Sequence, residues 1–333
     1  MSKKIKNRIE GLLVFDCENG NPNGDPDGGN LPRLNPLTSH GWVTDVCLKR
    51  RIRDHVGNFY NGNGKNNIHV ANQTDLNVNI FKAYEETGGL PQNDKKGKKE
   101  ELEKWDRFRA SEATEWLCQH FFDIRAFGAV LNTGPKSKNV MGPVQLTMAE
   151  SIDPIFPMDI GITRVARAGL TDKEEKQKLN PQSSEECKAI ADARGPNENQ
   201  TMGRKQLIPY GLFVGKFFIN PFLAEKTGFD EDDLKVLFDS MLQMFDINRS
   251  ASKGYMTTRK LIIFKHIGTN AGTSGYEQEC MLGCAPSHEL LELGNIVSID
   301  KKNNIEQPSK FKDYSITINK DAIPSGVEIN VLR

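Results

Sequence analysis

An α+β fold is predicted by three features of the sequence. Apolar runs with strand character stand at residues 8–17, 212–219 and 260–267, and amphipathic helix patterns lie at 42–57 and from Asp230 onward. Shorter strand-like pieces fall between them. With the polar excursions removed the order is β-α-β-β-α-β, the ferredoxin-like (RRM-like) arrangement shared by RNA-recognition modules. The RNP1 signature of those modules is not present.

Residues 8–17 carry Gly-Leu-Leu-Val-Phe at their heart and run into a loop dense in Asn, Gly and Pro. That loop reads Asn19-Gly-Asn-Pro-Asn-Gly-Asp-Pro-Asp-Gly-Gly-Asn-Leu-Pro-Arg33. Glycine and asparagine tolerate φ > 0 and glycine has no side chain, so such a loop brings bare backbone close to a ligand. In the helix at 42–57, Leu48, Ile52 and Val56 form a stripe four residues apart, with Lys49 and Arg53 one position round from it. Residues 61–99 are polar and glycine-rich and read as an insertion. Helical periodicity returns over 101–120 through Leu102, Trp105, Phe108, Ala113, Trp116 and Leu117.

Residues 121–131 read as a strand, with Phe122, Ile124 and Ala126 facing one way and Asp123, Arg125 and Phe127 the other. That second face mixes charge with an aromatic ring and suits a sheet surface that meets RNA. Val144, Leu146 and Met148 alternate in another strand. Between Arg164 and Arg204 a hydrophilic excursion leaves and re-enters the core. Asp230 is predicted to cap a helix whose apolar face is Leu234, Leu237, Phe238, Met241 and Phe245. After Gly268 a turn-rich tail carries one strand signal, Tyr314-Ser-Ile-Thr-Ile318, and sequence alone assigns it no place.

The chain has 333 residues with 44 basic and 44 acidic side chains, enough for about two average domains or one elaborated domain. A balanced charge excludes a uniformly basic nucleic-acid binder. The charges segregate instead, with basic islands at 49–53 and 204–205 and acidic ones at 174–175 and 230–233, which suits one surface for an anion and others for neighbours. The first eight residues lack the apolar core of a signal peptide, and no apolar run has membrane-spanning length. Six scattered cysteines fit a reducing compartment better than a disulfide framework. The expectation is a soluble cytoplasmic protein with no cofactor and no membrane contact.

The motifs Asn21-Pro-Asn-Gly-Asp-Pro, Gly29-Asn-Leu-Pro-Arg33 and Val43-Thr-Asp-Val-Cys-Leu-Lys-Arg50 resemble the backbone subunit of CRISPR Cascade complexes, most closely the type I-C (Dvulg) version of the RAMP superfamily. Phe127-Gly-Ala, Gly142-Pro-Val-Gln145, Ile162-Thr-Arg164, Met202-Gly-Arg-Lys205 and Pro209-Tyr-Gly211 are similar to the same family. The matches run from about residue 10 to 265, and their shared order makes them specific. The resemblance implies a non-catalytic, antiviral-defence protein that polymerises along crRNA and presents its spacer for pairing with target DNA. It implies a palm at 1–58, 121–157 and 207–268, a helical finger insertion at 59–120, a β-hairpin thumb at 158–206 and an extension at 269–333. The implied partners are further copies of the chain, the subunit that processes the 5′ handle, the large and small Cascade subunits and a helicase-nuclease recruited later.

Candidate RNA contacts follow from both readings. Asn21, Asn23 and Arg33 lie in the loop; Thr44, Lys49, Arg50 and Arg53 lie on the helix. Arg125 and Phe127 belong to the 121–131 strand, and Lys136 and Lys138 to a turn beside it. Arg164, Arg167, Arg204 and Lys205 bracket the thumb, with Met141 or Met202 as the wedge against a displaced base. Taken alone, a charge run such as 49–53 reads as a solvated helix face; the preceding loop and the resemblance favour RNA.

Two metal-binding patterns are incomplete in this sequence. Asn23-Gly-Asp25-Pro-Asp27-Gly28 imitates the start of an EF-hand loop, but its first position is Asn and its twelfth is Leu34. Cys280-x3-Cys284-x3-His288 offers three potential zinc ligands without a common structural spacing. Asp25 is the best residue for an alternative function, an RNA-guided endoribonuclease, yet no acid/base partner stands near it in sequence. A free-standing RNA-binding module is the other alternative. His55, His120 and His266 lie in apolar segments and read as structural.

Overall fold

The computed structural model describes residues 3–62, 64–88, 99–131, 138–167, 169–194, 200–273, 275–303 and 305–333, and of 99–108 the backbone alone. β1 (Ile9–Gly20) leads into a small hairpin of β2 (Gly24–Asp25) and β3 (Leu31–Pro32), then β4 (His40–Val43) and α1 (Asp45–Phe59). α2 (Leu76–Glu86) and α3 (Lys99–His120) pack on each other around Ile80, Ala83, Tyr84, Ala113 and Leu117. α4 (Phe122–Phe127), β5 (Gly128–Ala129), β6 (Val140–Met141), β7 (Val144–Leu146) and β8 (Ala149–Pro154) follow. An arm is made by β9 (Met158–Arg164), α5 (Asp172–Lys176), α6 (Ser184–Asp192) and the start of β10 (Thr201–Ile219). Then come α7 (Pro221–Thr227), α8 (Glu231–Gln243), β11 (Tyr255–His266), α9 (Tyr276–Leu282), α10 (Ser287–Leu291), β12 (Val297–Lys301), β13 (Tyr314–Ile318) and β14 (Val327–Leu332).

The main sheet runs β14-β11-β1-β10-β8-β4, with β7 and β9 also pairing with β10. Every pairing along it is antiparallel. β1 lies at its centre because its side chains are apolar on both faces. Leu13, Phe15 and Cys17 face a helical layer that contributes Leu48, Ile52, Val56, Leu237 and Met241. Leu12 and Val14 face the opposite way, onto Leu290, Leu291, Ile296 and Val297. Gly11 is required between them: a Cβ there would lie 2.2 Å from the Ile262 carbonyl oxygen and 2.5 Å from the Phe217 ring.

The tail after Gly268 is therefore part of the same body. β14 extends the sheet beside β11, and α10 with the β12–β13 hairpin covers the second face. Two buried acids on that face receive partners from it or from β11. Asp16 is paired with Arg259 at 2.9 Å. Glu10 lies 2.9 Å from His266 Nε2, while His266 Nδ1 accepts the Cys284 backbone N–H at 2.8 Å. Nε2 therefore carries the imidazole proton and donates it to Glu10.

The helix predicted at Asp230 is present, with Asp230 and Asp233 forming a capping box. The expected strand at 121–131 is not. Residues 122–127 are helical and all six are buried. A six-residue segment of alternating apolar and charged residues does not by itself distinguish a strand from a short core helix, and tertiary contacts decide here. The sheet surface expected to meet RNA is accordingly absent at this place, and the main sheet is covered on both faces.

Arg125 explains why this run is a helix. Its guanidinium bonds both Asp233 oxygens at 2.8 Å, the Cys118 carbonyl at 2.7 Å and Asn66 Oδ1 at 3.2 Å. It is 1% exposed. Removing Asp233 would leave that charge buried and unpaired, so Asp233→Ala should lose about 3–5 kcal/mol in urea unfolding. Arg125→Met/Asp233→Leu, which removes both charges, should recover most of that loss.

Glu10 sets an acid limit. Burial works to raise its pKa, but hydrogen bonds from His266 and Ser287 and the Arg8 charge outweigh burial and leave the carboxyl below its ordinary value. A depressed carboxyl contributes stability that is full above the unfolded value near about pH 4.3 and is lost as pH falls through the folded value. Acid unfolding followed by circular dichroism should show that loss in the wild type and a flatter acid limb in Glu10→Gln.

Candidate nucleic-acid interface

The loop leaving β1 is folded against the start of α1 by its own amides. Asn21 Nδ2 donates to the Asn30 carbonyl at 2.7 Å. Asn23 Oδ1 accepts both the Thr44 backbone N–H at 2.9 Å and the Thr44 hydroxyl at 3.0 Å. Thr44 Oγ1 in turn accepts the Cys47 N–H and caps α1. Gly24 fits where a Cβ would stand 2.0 Å from Asn30 Oδ1. Asn21, Asn23 and Thr44 thus spend their side chains on holding the loop in shape. The segment they leave exposed is 26–31.

Leu48, Ile52 and Val56 are fully buried, and Lys49 and Arg53 border them. Both cations lie over the Phe127 ring, at 5.9 and 5.2 Å from its centroid. Lys49 pairs with Asp45 at 2.9 Å and Arg53 Nε donates to Asp123 at 2.8 Å; the two side chains keep 16% and 13% of their surface. Asp123 also accepts the backbone N–H groups of His69 and Val70. Burial pushes the His69 imidazole below its ordinary pKa, against the pull of Asp123, so it is neutral at pH 7. Arg50 pairs with Asp54 at 2.9 Å and remains more open, with its Nη1 3.4 Å from the Val70 carbonyl oxygen.

Besides Thr44, four of the sequence-selected residues take roles within the protein. Arg125 and Phe127 are buried on α4, so neither is a surface contact: Arg125 anchors the helix, and Phe127 is the shelf beneath Lys49 and Arg53. Asn21, 7% exposed, and Asn23 act within the protein. Asp123, absent from the sequence-derived candidates, orients Arg53. Its signal was a carboxylate inside a buried apolar run, which requires a partner.

Arg33 reaches Asp25 at 3.4 Å, and Asp25 also accepts the Asp27 N–H. Among the described residues no three His, Cys, Asp or Glu side chains are grouped to hold a metal ion. Lys138 bonds Ser111 and Thr114 of α3; Lys136 lies outside the described residues. Met141 and Met202 are both exposed, at 70% and 83%.

In the arm, β9 and β10 pair from Met158↔Leu207 to Thr201↔Arg164. Arg164 Nε donates to Thr201 Oγ1, Arg204 pairs with Asp159 at 2.9 Å, and Arg167 and Lys205 are half-buried. Met158, Ile160 and Ile162 form an exposed apolar row on one face, readable from their alternation but overlooked among the charges. Of the histidines, His55 bonds Ser240 Oγ and His266 bonds Glu10, both buried, while His120 is half-buried.

The family model for CRISPR-associated protein Cas7 matches residues 7–319. The chain therefore belongs to that family. A curated relative, CRISPR-associated protein Cas7 of Haloferax volcanii, is 52% identical over 50 residues, 15% of this chain and 15% of its own length. The chain thus matches about one seventh of that relative's length. Two solved chains, each 13% identical, are similar in outline. One is described as CRISPR RNA-guided surveillance complex, pre-nicking (TM-score 0.45; 84% of this chain and 83% of that one covered). The other is described as CRISPR RNA-guided surveillance complex (0.41; 81% and 74%). Among the described residues no helix is long and apolar enough to cross a membrane.

The Asn23–Thr44 contact couples loop to helix. Asn23→Ala should lower stability by about 1 kcal/mol, as for a lost helix cap. Hydrogen exchange should then rise at Thr44 and Cys47 while β1 stays protected; unchanged exchange at both would show that the loop is held by other means.

Proposed function

We propose, with that family membership as the premise, that this chain is a guide-RNA-binding backbone subunit of a type I-C Cascade effector. The observation that carries the reading is the pair Lys49 and Arg53, one helical turn apart on α1, set on the Phe127 ring beside a loop that exposes backbone at 26–31. Four residues along a helix is about 6 Å of axis, which lets the two cations serve neighbouring phosphates of one strand. Arg53 uses Nε for Asp123, and its Nη groups point to the work of holding an anion.

On this reading the β-α-β-β-α-β path with the order β11-β1-β10-β8 is a ferredoxin-like palm, α2 and α3 are a finger, and the β9–β10 arm is a thumb across the guide. Met141 or Met202 wedges a base aside, and Arg50, Arg33, Arg164, Arg167, Arg204, Lys205, Lys136 and Lys138 add charge along the strand. Copies assemble head to tail, bases face outward to pair with target DNA, and specificity belongs to pairing while the protein reads backbone. The 5′-handle subunit, the large and small subunits and a helicase-nuclease complete the system in the cytoplasm. The role is non-catalytic: Asp25 is engaged by Arg33 and by the Asp27 N–H, an arrangement that suits a turn better than a general base.

Co-expression with a CRISPR array, followed by light scattering and 260/280 nm absorbance, tests the reading. The wild type should give a large RNA-bearing assembly, and Lys49→Glu/Arg53→Glu an RNA-free protein. In a single-strand titration, neutralising both cations to Gln should reduce the salt slope by roughly 1.4, at about 0.7 per phosphate contact. RNA-free wild-type protein, or RNA retained unchanged by the variant, would overturn the assignment. Complementary RNA cut in Mg²⁺ by the wild type and spared by Asp25→Ala would establish the endoribonuclease instead.

A further inference from the structure

A polar cavity that the α1 interface does not use lies in the insertion. It is open to solvent, measures about 520 Å³ and is lined chiefly by Asn61, Asn67, Asn79, Lys82, Trp116 and His120. That volume falls within the range of small-ligand sites. Trp116 and His120 are four residues apart on α3, and their rings stack with centroids 3.9 Å apart and planes 21° apart. Phe121 supports the indole from 6.2 Å in an edge-on contact. His120 Nδ1 lies 2.8 Å from the Trp116 carbonyl oxygen, which can only accept. Nδ1 therefore holds the proton and Nε2 of the neutral ring is an acceptor.

Three carboxamides share the cavity with this aromatic pair. Asn67 is fixed through its backbone, donating its N–H to the His120 carbonyl and accepting the Phe122 N–H. Asn79 Nδ2 lies 3.2 Å from His69 Nδ1. Each carboxamide sets a donor beside an acceptor, the pattern that reads the polar edge of a base, and stacked rings supply the apolar wall such a base requires. One cation, Lys82, and one carboxylate, Glu86, both exposed, stand among the lining residues. Near-balanced charge suits a neutral planar heterocycle and argues against a phosphate or a metal ion.

The cavity is joined to the cationic edge by a short strap. Asn67 lines the cavity, while the His69 and Val70 N–H groups hold Asp123, which orients Arg53. Three residues of chain span at most about 10 Å. We infer that this cavity is a base-binding pocket that accepts one unstacked nucleobase, supplied by a strand whose phosphates lie on Arg50 and Arg53. This placement rests on the RNA-holding reading; the same chemistry would also accept the base of a free nucleotide.

The test uses the full chain and dye-labelled 12-nucleotide RNAs, one with all its bases and one abasic, titrated by fluorescence anisotropy. The base-bearing strand should bind about tenfold more tightly, within the range of base–aromatic stacking. Trp116→Leu should bring that ratio close to one and leave abasic binding unchanged. Because Trp116 also packs on the insertion core, Asn61→Ala/Lys82→Ala, confined to exposed side chains, provides a second reading and should lower the ratio about threefold. A 4-thiouridine strand should photo-crosslink to the 116–121 peptide. A ratio untouched by both variants, or crosslinks confined to α1 and the 21–33 loop, would overturn the pocket while leaving RNA binding intact. If neither strand binds and Lys49→Glu/Arg53→Glu changes nothing, the RNA-holding reading fails. Calorimetry with adenosine and uridine monophosphates then decides the pocket: binding lost in Trp116→Leu supports a free-nucleotide site, and no binding rejects it.

Discussion

The Arg125 guanidinium is the joint on which the rest of the structure depends. It gathers α8 through Asp233, the end of α3 through the Cys118 carbonyl, and the segment before the insertion's first helix through Asn66. A buried charge of this kind is tolerated because its donors are met by a bidentate carboxylate and by fixed acceptors. Lys65 reinforces the same acids, at 2.7 Å from Asp230 and 3.2 Å from Asp233. The consequence is positional. With α4 pinned at Arg125, Asp123 two residues before it and Phe127 two residues after it have no freedom, and these are the groups that set Arg53 and Lys49.

Net charge is a poor guide to this chain for the same reason. Its 44 basic and 44 acidic side chains cancel, yet the cationic edge of α1 is made by ordering rather than by excess. Lys49 and Asp45, both partly buried, form an i,i+4 helix pair of the kind that contributes about 0.3–0.5 kcal/mol, so on the proposed reading an arriving phosphate would displace Asp45 at little cost. Arg53 behaves differently, since Asp123 occupies Nε and is itself held by two backbone N–H groups. One cation is exchangeable and the other is fixed in aim. On the proposed reading, the protein would lose less side-chain freedom on meeting a strand than a floppy basic patch would.

Local pattern made some of this legible in the sequence. The Leu48, Ile52 and Val56 stripe, the cap at Asp230 and the strand at 8–17 each follow from neighbours in the chain, and each is present as read. The 121–131 segment shows how a local period misleads: Phe122, Ile124 and Ala126 alternate with Asp123, Arg125 and Phe127 as in a strand, yet all six are buried in a helix, and the deciding partner, Asp233, is 108 residues away. Asn23 shows the same limit. Its role as a prop for Thr44 depends on the chain returning 21 residues later, while its type and setting suggested a turn and an RNA contact. The tail stayed unplaced because β14 pairs with β11, more than sixty residues back, and no local signal announces such a partner.

The covered sheet also restricts where any strand of nucleic acid can lie. An RRM binds with aromatic side chains on an open sheet face, but here Leu12, Val14, Leu212 and Phe264 on that face are buried under residues of the 269–333 extension. The acids on the same face are likewise committed, Glu10 to His266 and Asp16 to Arg259 and Tyr210. Burial raises the Asp16 pKa even against Arg259, which marks how thoroughly the face is removed from water. The end of β1 differs: among the described residues its loop is exposed at 26–31, and Asn23 ties that loop to the start of α1. On the reading proposed above, a ligand there would meet loop backbone, the Lys49 and Arg53 cations and the strap to the Trp116–His120 cavity in sequence. On the proposed reading, binding falls to the ends of the β-α-β-β-α-β path rather than to its face, because the extension has already taken the face for the core.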